Sequence, residues 1–73
     1  MTKLPSVSGR ECVRALQRAG FTVVKQKGSH IKMRRGGVVI IVPDHRELGR
    51  GILRSIIGQA GLSIDEFIAL LNA

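Results

Sequence analysis

Residues 25–34 read KQKGSHIKMR and place one imidazole, that of His30, within a run of lysine and arginine side chains. An imidazole can accept or donate a proton near neutral pH. Cationic side chains bind phosphate and stabilise the charge that develops when a phosphodiester is cleaved. Together these groups could cleave RNA through attack by its own 2′-hydroxyl, with His30 as the general base and no metal ion. The residue types leave open that His30 is an ordinary polar residue of a basic strand.

Strand periodicity predicts which side chains surround this histidine. In HIKMRR, residues 30–35, apolar and polar side chains alternate, as they do in a strand with one buried face. Ile31 and Met33 should therefore face the core. The exposed face should combine the histidine with two cations of its own strand and two from the preceding strand and turn: His30, Lys32, Arg34, Lys25 and Lys27. This cluster is the predicted RNA site.

The turn before this strand and the first helix supply further candidates for RNA binding. Gly28 and Ser29 should form a turn, since glycine readily adopts a positive φ angle, and their backbone N–H groups could approach a phosphate. Arg10, Arg14 and Arg18 recur every four residues on the polar side of a predicted helix. That stripe is either a solvated helix face or a ridge that follows a phosphate backbone. On the second interpretation, Arg10 and Arg14 bind RNA.

Other site chemistries lack the spacing that they require. His30, His45, Asp44 and Glu47 could supply metal ligands, but no HxxH or HExxH pattern occurs, so neither a metal nor a cofactor is expected. No GxSxG or Walker A motif is present. Both aromatic residues are phenylalanines expected in the core, which argues against base stacking of the kind used by RRM and OB domains. The role of His45 stays open.

The charge balance favours a polyanionic partner. The chain carries 12 Lys and Arg against 5 Asp and Glu, for a net charge of +7, and two of the acids, Asp65 and Glu66, lie near the C-terminus. Nucleic acid is the commonest partner of such a chain, although high net charge can also serve solubility alone. The one cysteine, Cys12, excludes an internal disulfide and is expected to be a packed thiol on the apolar side of the first helix.

No segment of the sequence indicates a membrane partner. The N-terminal residues lack the apolar region of a signal peptide, and no uncharged run of about 18 apolar residues occurs. We therefore expect a soluble protein of the cytoplasm.

Capping residues and periodicity predict the helices that must support the site. Ser8 and Glu11 form a capping box at the start of the first helix, and Gly20 suits its end. A second helix should end at Gly61 and turn one apolar stripe inward: Ile52, Leu53, Ile56, Ile57 and Ala60. Ser63 should cap a short third helix.

Three strands are predicted between the first two helices, at residues 21–26, 30–35 and 38–42. Gly36–Gly37 reads as a tight hairpin turn. The last strand, VVIIV, is apolar on both faces, which suits a strand covered on both sides or one covered by a partner chain. The order α-β-β-β-α-α predicts an α+β fold, with helices packed on a three-stranded antiparallel sheet, in one domain over residues 1–73.

These segments, in this order, resemble the HicA family of small toxins (also called YcfA-like), the mRNA interferases of HicA–HicB toxin–antitoxin pairs. The resemblance covers about residues 4–68 and rests on four stretches: SGRECVRALQRAGF, KQKGSHIKMRR, VVIIVPDH and ELGRGILRSIIGQAGLSIDEF. GSH alone would be a weak signal. Its place after a helix and a strand, and before VPDH and QAG, makes the match specific.

The resemblance implies a fold similar to double-stranded-RNA-binding domains, with helices on one face of the sheet. It implies that His30 is the catalytic histidine, that mRNA is the substrate and that a HicB-type antitoxin covers the site. Gly28 and Ser29 match family residues that shape the turn, and His45 matches the histidine of the family's P-x-H segment, which reads PDH in this sequence. It indicates no oligomeric state.

Two functions of different classes remain at this point. The first is a metal-independent endoribonuclease toxin with His30 as general base. The second is a non-catalytic module that binds double-stranded RNA or another nucleic acid through its arginines and strand lysines. A histidine on the basic face separates them, because a module that only binds does not need one.

Overall fold

The computed structural model describes residues 3–73, which form one sheet with helices packed on one face. The elements are α1 (Gly9–Arg18), β1 (Thr22–Lys27), β2 (His30–Arg35), β3 (Val38–Pro43), α2 (Arg50–Gln59) and α3 (Ile64–Leu71). The sheet is antiparallel with strand order β1-β2-β3, so β2 is central and the other two are edge strands. The predicted α+β class and element order are confirmed. Among the helices of the described residues, none has the length and hydropathy needed to cross a membrane.

Capping boxes fix the start of two helices. At α1 the Glu11 N–H donates to Ser8 Oγ at 3.1 Å, and the Ser8 N–H donates to the Glu11 carboxylate at 2.9 Å. Ser63 and Glu66 repeat both bonds at α3, at 3.1 and 2.8 Å. The hydrogen bond from the backbone N–H lowers the pKa of each glutamate, because it stabilises the charged carboxylate. Both predicted caps are confirmed.

The core lies between the helices and one face of the sheet. Its largest fully buried side chains are Phe21, Phe67, Leu16, Met33, Ile40, Leu53, Val42 and Cys12. Burial raises the pKa of the Cys12 thiol to about 12, so this cysteine stays protonated and is packed as predicted. The prediction for Ile52 was wrong, since 44% of it is exposed. It precedes the i, i+3, i+4, i+7 series that starts at Leu53 and that forms the buried stripe of α2.

Two short turns set the register of the sheet. Gly28 and Gly36 both have a φ of +58°, and each is the first residue of a two-residue hairpin loop, where type II′ turns require glycine. The first loop places Lys27 opposite His30. Farther from the loop, a bulge inserts Val24 into β1, so that Val23 lies opposite Met33 while Lys25 lies opposite Lys32.

Two arginines join the ends of the helices. The Arg35 guanidinium donates to the carbonyls of Ala19 at 2.7 Å and Ala60 at 3.2 Å, and it lies 4.6 Å from the centroid of the Phe21 ring. Arg18 donates to the carbonyl of Leu70 at 2.8 Å. These cations bind carbonyls at helix C-termini, where positive charge is favourable. Of the three arginines in the predicted stripe of α1, Arg18 therefore packs against α3.

Candidate active site

His30 is the first residue of β2 and lies on the face of the sheet that no helix covers. In the register it has Lys27 of β1 on one side and Pro43 of β3 on the other. Its sheet neighbours Ile31 and Met33 are buried on the opposite face, as the alternation predicted. The imidazole is exposed. A polymer can thus reach it without any movement of the core.

Four cations share this face with the histidine. Lys25 lies directly opposite Lys32, one step along the face from the pair of Lys27 and His30. Two residues farther along β2, Arg34 lies opposite Thr22, and its Nε donates to the carbonyl of Gly36 at 2.9 Å. Successive residues on one strand face are about 6.6 Å apart. The predicted cluster of one imidazole and four cations is thus brought together on one face. We call this surface the open face.

The third strand gives the open face an apolar side. Val39 lies opposite Arg34, and Ile41 lies opposite Lys32. They are 44% and 47% exposed, respectively. Within the described residues, no second layer covers the outer apolar side chains of this strand. Cationic and apolar side chains stand next to each other on the open face, which suits a partner that offers both kinds of contact.

The Gly28–Ser29 turn lies directly before the histidine. A Cβ built on Gly28 would have no atom within 4 Å, so space around this turn is open. The carbonyl of Ser29 accepts a hydrogen bond from the Asp44 N–H at 2.6 Å, which extends the pairing of β2 and β3 by one link. The predicted turn is confirmed. Its binding to phosphate remains a prediction.

Asp44 ties this turn to the first helix, a role that the sequence did not reveal. Its Oδ2 accepts from Arg10 Nη2 at 3.2 Å and lies 3.5 Å from Gln26 Nε2, which also donates to the Gly28 carbonyl at 3.2 Å. Arg10 and Asp44 are 34 residues apart in the chain, and no sequence pattern predicts an ion pair over that separation.

Gly9 allows this close approach of α1 to the end of β3. A Cβ at Gly9 would lie 2.0 Å from the Pro43 carbonyl oxygen, a distance that real Cβ atoms do not reach. The Gly9 N–H donates to the His45 carbonyl at 2.9 Å. His45 thus contributes its backbone here, while its side chain is exposed. Within residues 3–73 no three His, Cys, Asp or Glu side chains come close enough to hold a metal ion.

Arg10 and Arg14 lie on the other side of the sheet from His30. They line an open groove of about 260 Å³ between α1 and β1. Gln17 and Gln26 complete its polar lining, and Val13, Val23 and Ile31 form its apolar floor and wall. The structure therefore divides the predicted RNA-binding residues into two groups: the open face with its turn, and this groove. We call this open groove the α1–β1 groove.

Comparison with known proteins identifies the family of this chain. The family model described as HicA toxin of bacterial toxin-antitoxin matches residues 9–62. The chain belongs to the HicA toxin family. A curated relative from Pseudomonas fluorescens (strain Pf0-1), named probable mRNA interferase HicA, is 39% identical over 51 residues, which cover 67% of this chain and 85% of the relative. The predicted family is confirmed.

The HicA match covers every element that carries the candidate site. It begins at Gly9, the residue packed against Pro43, and it includes all three strands and α2. Helix α3 lies outside it and packs against α1, where Arg18 binds its C-terminal carbonyls. The family pattern thus coincides with the sheet, its turns and the two helices next to it.

Proposed function

We propose that this HicA-family chain is the toxin of a type II toxin–antitoxin pair and that it cleaves mRNA with His30 as general base. Family membership and the name of the relative support the toxin and the substrate. The observation that carries the assignment of the base is the position of His30, exposed on the open face and opposite Lys27. We propose that the reaction takes place in the cytoplasm and requires no metal ion.

The chemistry of this mechanism needs few protein groups. His30 takes the proton of the substrate 2′-hydroxyl, and the freed oxygen attacks the adjacent phosphorus. The bond from phosphorus to the 5′ oxygen breaks, that oxygen takes up a proton, and a 2′,3′-cyclic phosphate remains. Lys25, Lys27 and Lys32 hold the phosphates and stabilise the charge that builds on the non-bridging oxygens. General base catalysis of this kind contributes about 10²–10⁴-fold in rate.

The path of the RNA follows from the placement of the cations. On the open face the phosphates are bound by four side chains, those of Lys25, Lys27, Lys32 and Arg34. The open space around the Gly28–Ser29 turn allows the RNA strand to pass close to the protein backbone. Arg10 and Arg14 take phosphates beyond the turn, on the other side of the sheet. Binding is therefore expected to be strongly salt-dependent.

The open face also suits the antitoxin. We propose that a HicB-type antitoxin covers it, with acidic side chains against Lys32 and Arg34 and apolar ones against Val39 and Ile41. Exposed aliphatic side chains next to a basic cluster favour such a partner. Occupation of this face would block access to His30.

Product analysis tests the proposed mechanism. The purified protein should cut a short RNA in the presence of EDTA and leave a 2′,3′-cyclic phosphate, and its expression without an antitoxin should arrest growth. Products that end in a 5′-phosphate, or cleavage that occurs only after a divalent ion is added, would replace this mechanism with a metal-assisted one. RNA binding without cleavage would instead support the alternative function, that of a non-catalytic module that binds nucleic acid.

A further inference from the structure

The α1–β1 groove has features that phosphate binding alone does not require. Besides Arg10 and Arg14 it presents two primary amides, those of Gln17 and Gln26. The Gln17 amide makes no hydrogen bond to any residue that the structure describes. Amides donate and accept together, so they can read the edge of a nucleobase, whereas a phosphate offers only acceptors.

The apolar lining suits a flat ring. Val13 and Ile31 are buried and form the floor, and Val23 is 43% exposed at the wall. A guanidinium plane can stack on an unpaired base where aromatic side chains are absent, and Arg14 lies beside this floor. At about 260 Å³ the groove is slightly smaller than the roughly 300–1,000 Å³ of drug-sized ligand sites, which suits a single nucleotide.

The sheet connects this groove with His30. Ile31 of the floor directly follows His30 in β2, and Gln26 lies opposite Ile31. The Arg10 end of the groove reaches the Gly28–Ser29 turn through Asp44, which binds Arg10 and donates its N–H to the Ser29 carbonyl. An RNA strand that passes from His30 around this turn therefore arrives at the groove.

The bulge at Val24 completes the groove. Because of this extra residue, the Val23 side chain lies on the face of the sheet where Val24 would lie in a regular strand. The Val23 and Gln26 side chains therefore both point to α1. Bulges that redirect a side chain are common next to active sites. The irregular strand thus contributes one apolar and one amide group to the same depression.

We propose that the α1–β1 groove binds one unpaired nucleobase of the substrate RNA and sets the base preference next to the cleaved bond. This inference rests on the proposed ribonuclease function and adds the specificity-determining residues Gln17 and Gln26. The base lies on Val13 and Ile31. Its edge bonds to the Gln17 amide and to Gln26 Oε1, because Gln26 Nε2 already donates to the Gly28 carbonyl. Arg10 and Arg14 bind the flanking phosphates.

A cleavage profile on a pool of short single-stranded RNAs with random sequence tests the inference. The wild type should prefer one base at one position near the cut. Gln17→Ala should reduce that preference about 5–150-fold, the range expected for hydrogen bonds to a base edge, and leave preferences at other positions unchanged. Alanine favours the helix at this exposed site, so the fold should persist. Val23→Phe, which fills the groove, should remove the same preference.

Gln59→Ala is the matched control, because Gln59 is an exposed helical glutamine outside the groove whose amide donates to Ser55 of the same helix. It should keep the wild-type profile. Dissociation constants of a preferred and a non-preferred RNA for His30→Ala proteins, with and without Gln17→Ala, should show the same loss without any cleavage.

Several results would overturn the inference while the ribonuclease stands. They are a wild-type profile without base preference, a profile that neither Gln17→Ala nor Val23→Phe changes, and a loss that affects all positions equally, which would mean phosphate contacts only. A change confined to antitoxin affinity would assign the groove to the protein partner instead. If the wild type cuts no RNA at all, the proposed function fails, and the inference fails with it.

Discussion

Lys25 of β1 lies directly opposite Lys32 of β2, and both belong to the open face of the sheet. Like charges in this arrangement destabilise a sheet. The adjacent pair, Lys27 and His30, adds a further cation beside the imidazole. A phosphate bound between the strands would offset the repulsion. The arrangement therefore favours an anionic ligand at the position where the proposed reaction needs one.

Replacement of this pair should weaken RNA binding in a salt-dependent manner. Each phosphate contact on a single strand contributes about 0.7 to the slope of log K against log salt concentration, so Lys25→Gln with Lys32→Gln should lower the slope by about 1.4. The thermal midpoint should stay the same or rise, since the repulsion is relieved. Binding of a short RNA to a His30→Ala background, titrated at several salt concentrations, measures the slope.

Arg50→Gln with Arg54→Gln is the charge-matched control for that pair. Both arginines are exposed on α2, which packs on the covered side of the sheet. This double variant should retain a slope close to that of the parent. Equal losses in the two double variants would mean that net charge, and not the open face, determines RNA binding.

Gly9→Ala should destabilise the protein and disturb the site together. The added Cβ would lie 2.0 Å from the Pro43 carbonyl oxygen, and Pro43 is the register partner of His30. Overpacking of this kind costs about 1–3 kcal/mol of unfolding free energy. Chemical denaturation measures that loss. The cleavage rate under native conditions should also fall, because the end of β3 must move.

Gly58→Ala provides the comparison for this prediction. Gly58 lies within α2, and a Cβ there would meet no atom within 4 Å. Alanine should stabilise the helix by about 0.5–1 kcal/mol relative to glycine. Gly9→Ala and Gly58→Ala should thus shift stability in opposite directions. A Gly9→Ala protein as stable as the wild type would contradict the packing described here.

The fold could be predicted from the sequence because its signals are local. Capping boxes mark the starts of α1 and α3, the alternation in residues 30–35 assigns the faces of β2, and Gly28 and Gly36 set the hairpins. Ile52 was misassigned because the apolar series of α2 has an ambiguous edge, and only packing decides which residue remains exposed.

The candidate site was predictable only in part. The cluster around His30 follows from strand alternation and from one turn. The ion pair of Arg10 and Asp44 joins segments far apart in the chain, and nothing in FTVVKQ marks Val24 as a bulge. The position of Arg14 in a groove on the far side of the sheet depends on how α1 packs, which helix periodicity alone does not determine.

Binding of a HicB-type antitoxin should protect RNA from cleavage. If the partner covers the open face, the purified complex should not cut a short RNA at concentrations well above its dissociation constant. Charge steering should make association fast and sensitive to salt, and Lys32→Gln with Arg34→Gln should slow it. A complex that cuts as fast as the free protein would instead indicate that the antitoxin extends the sheet at the β3 edge and leaves His30 accessible.

Single-turnover cleavage of a short RNA in EDTA by His30→Ala, compared with His45→Ala, tests the central claim most directly. Each variant removes one exposed imidazole, and neither should change the thermal midpoint by much, since surface substitutions usually alter stability by about 0.5 kcal/mol or less. The proposed mechanism predicts a roughly 10²–10⁴-fold lower rate for His30→Ala and a rate close to that of the wild type for His45→Ala. A His30→Ala protein that is folded and cuts RNA at the wild-type rate would contradict the assignment of His30 as the general base.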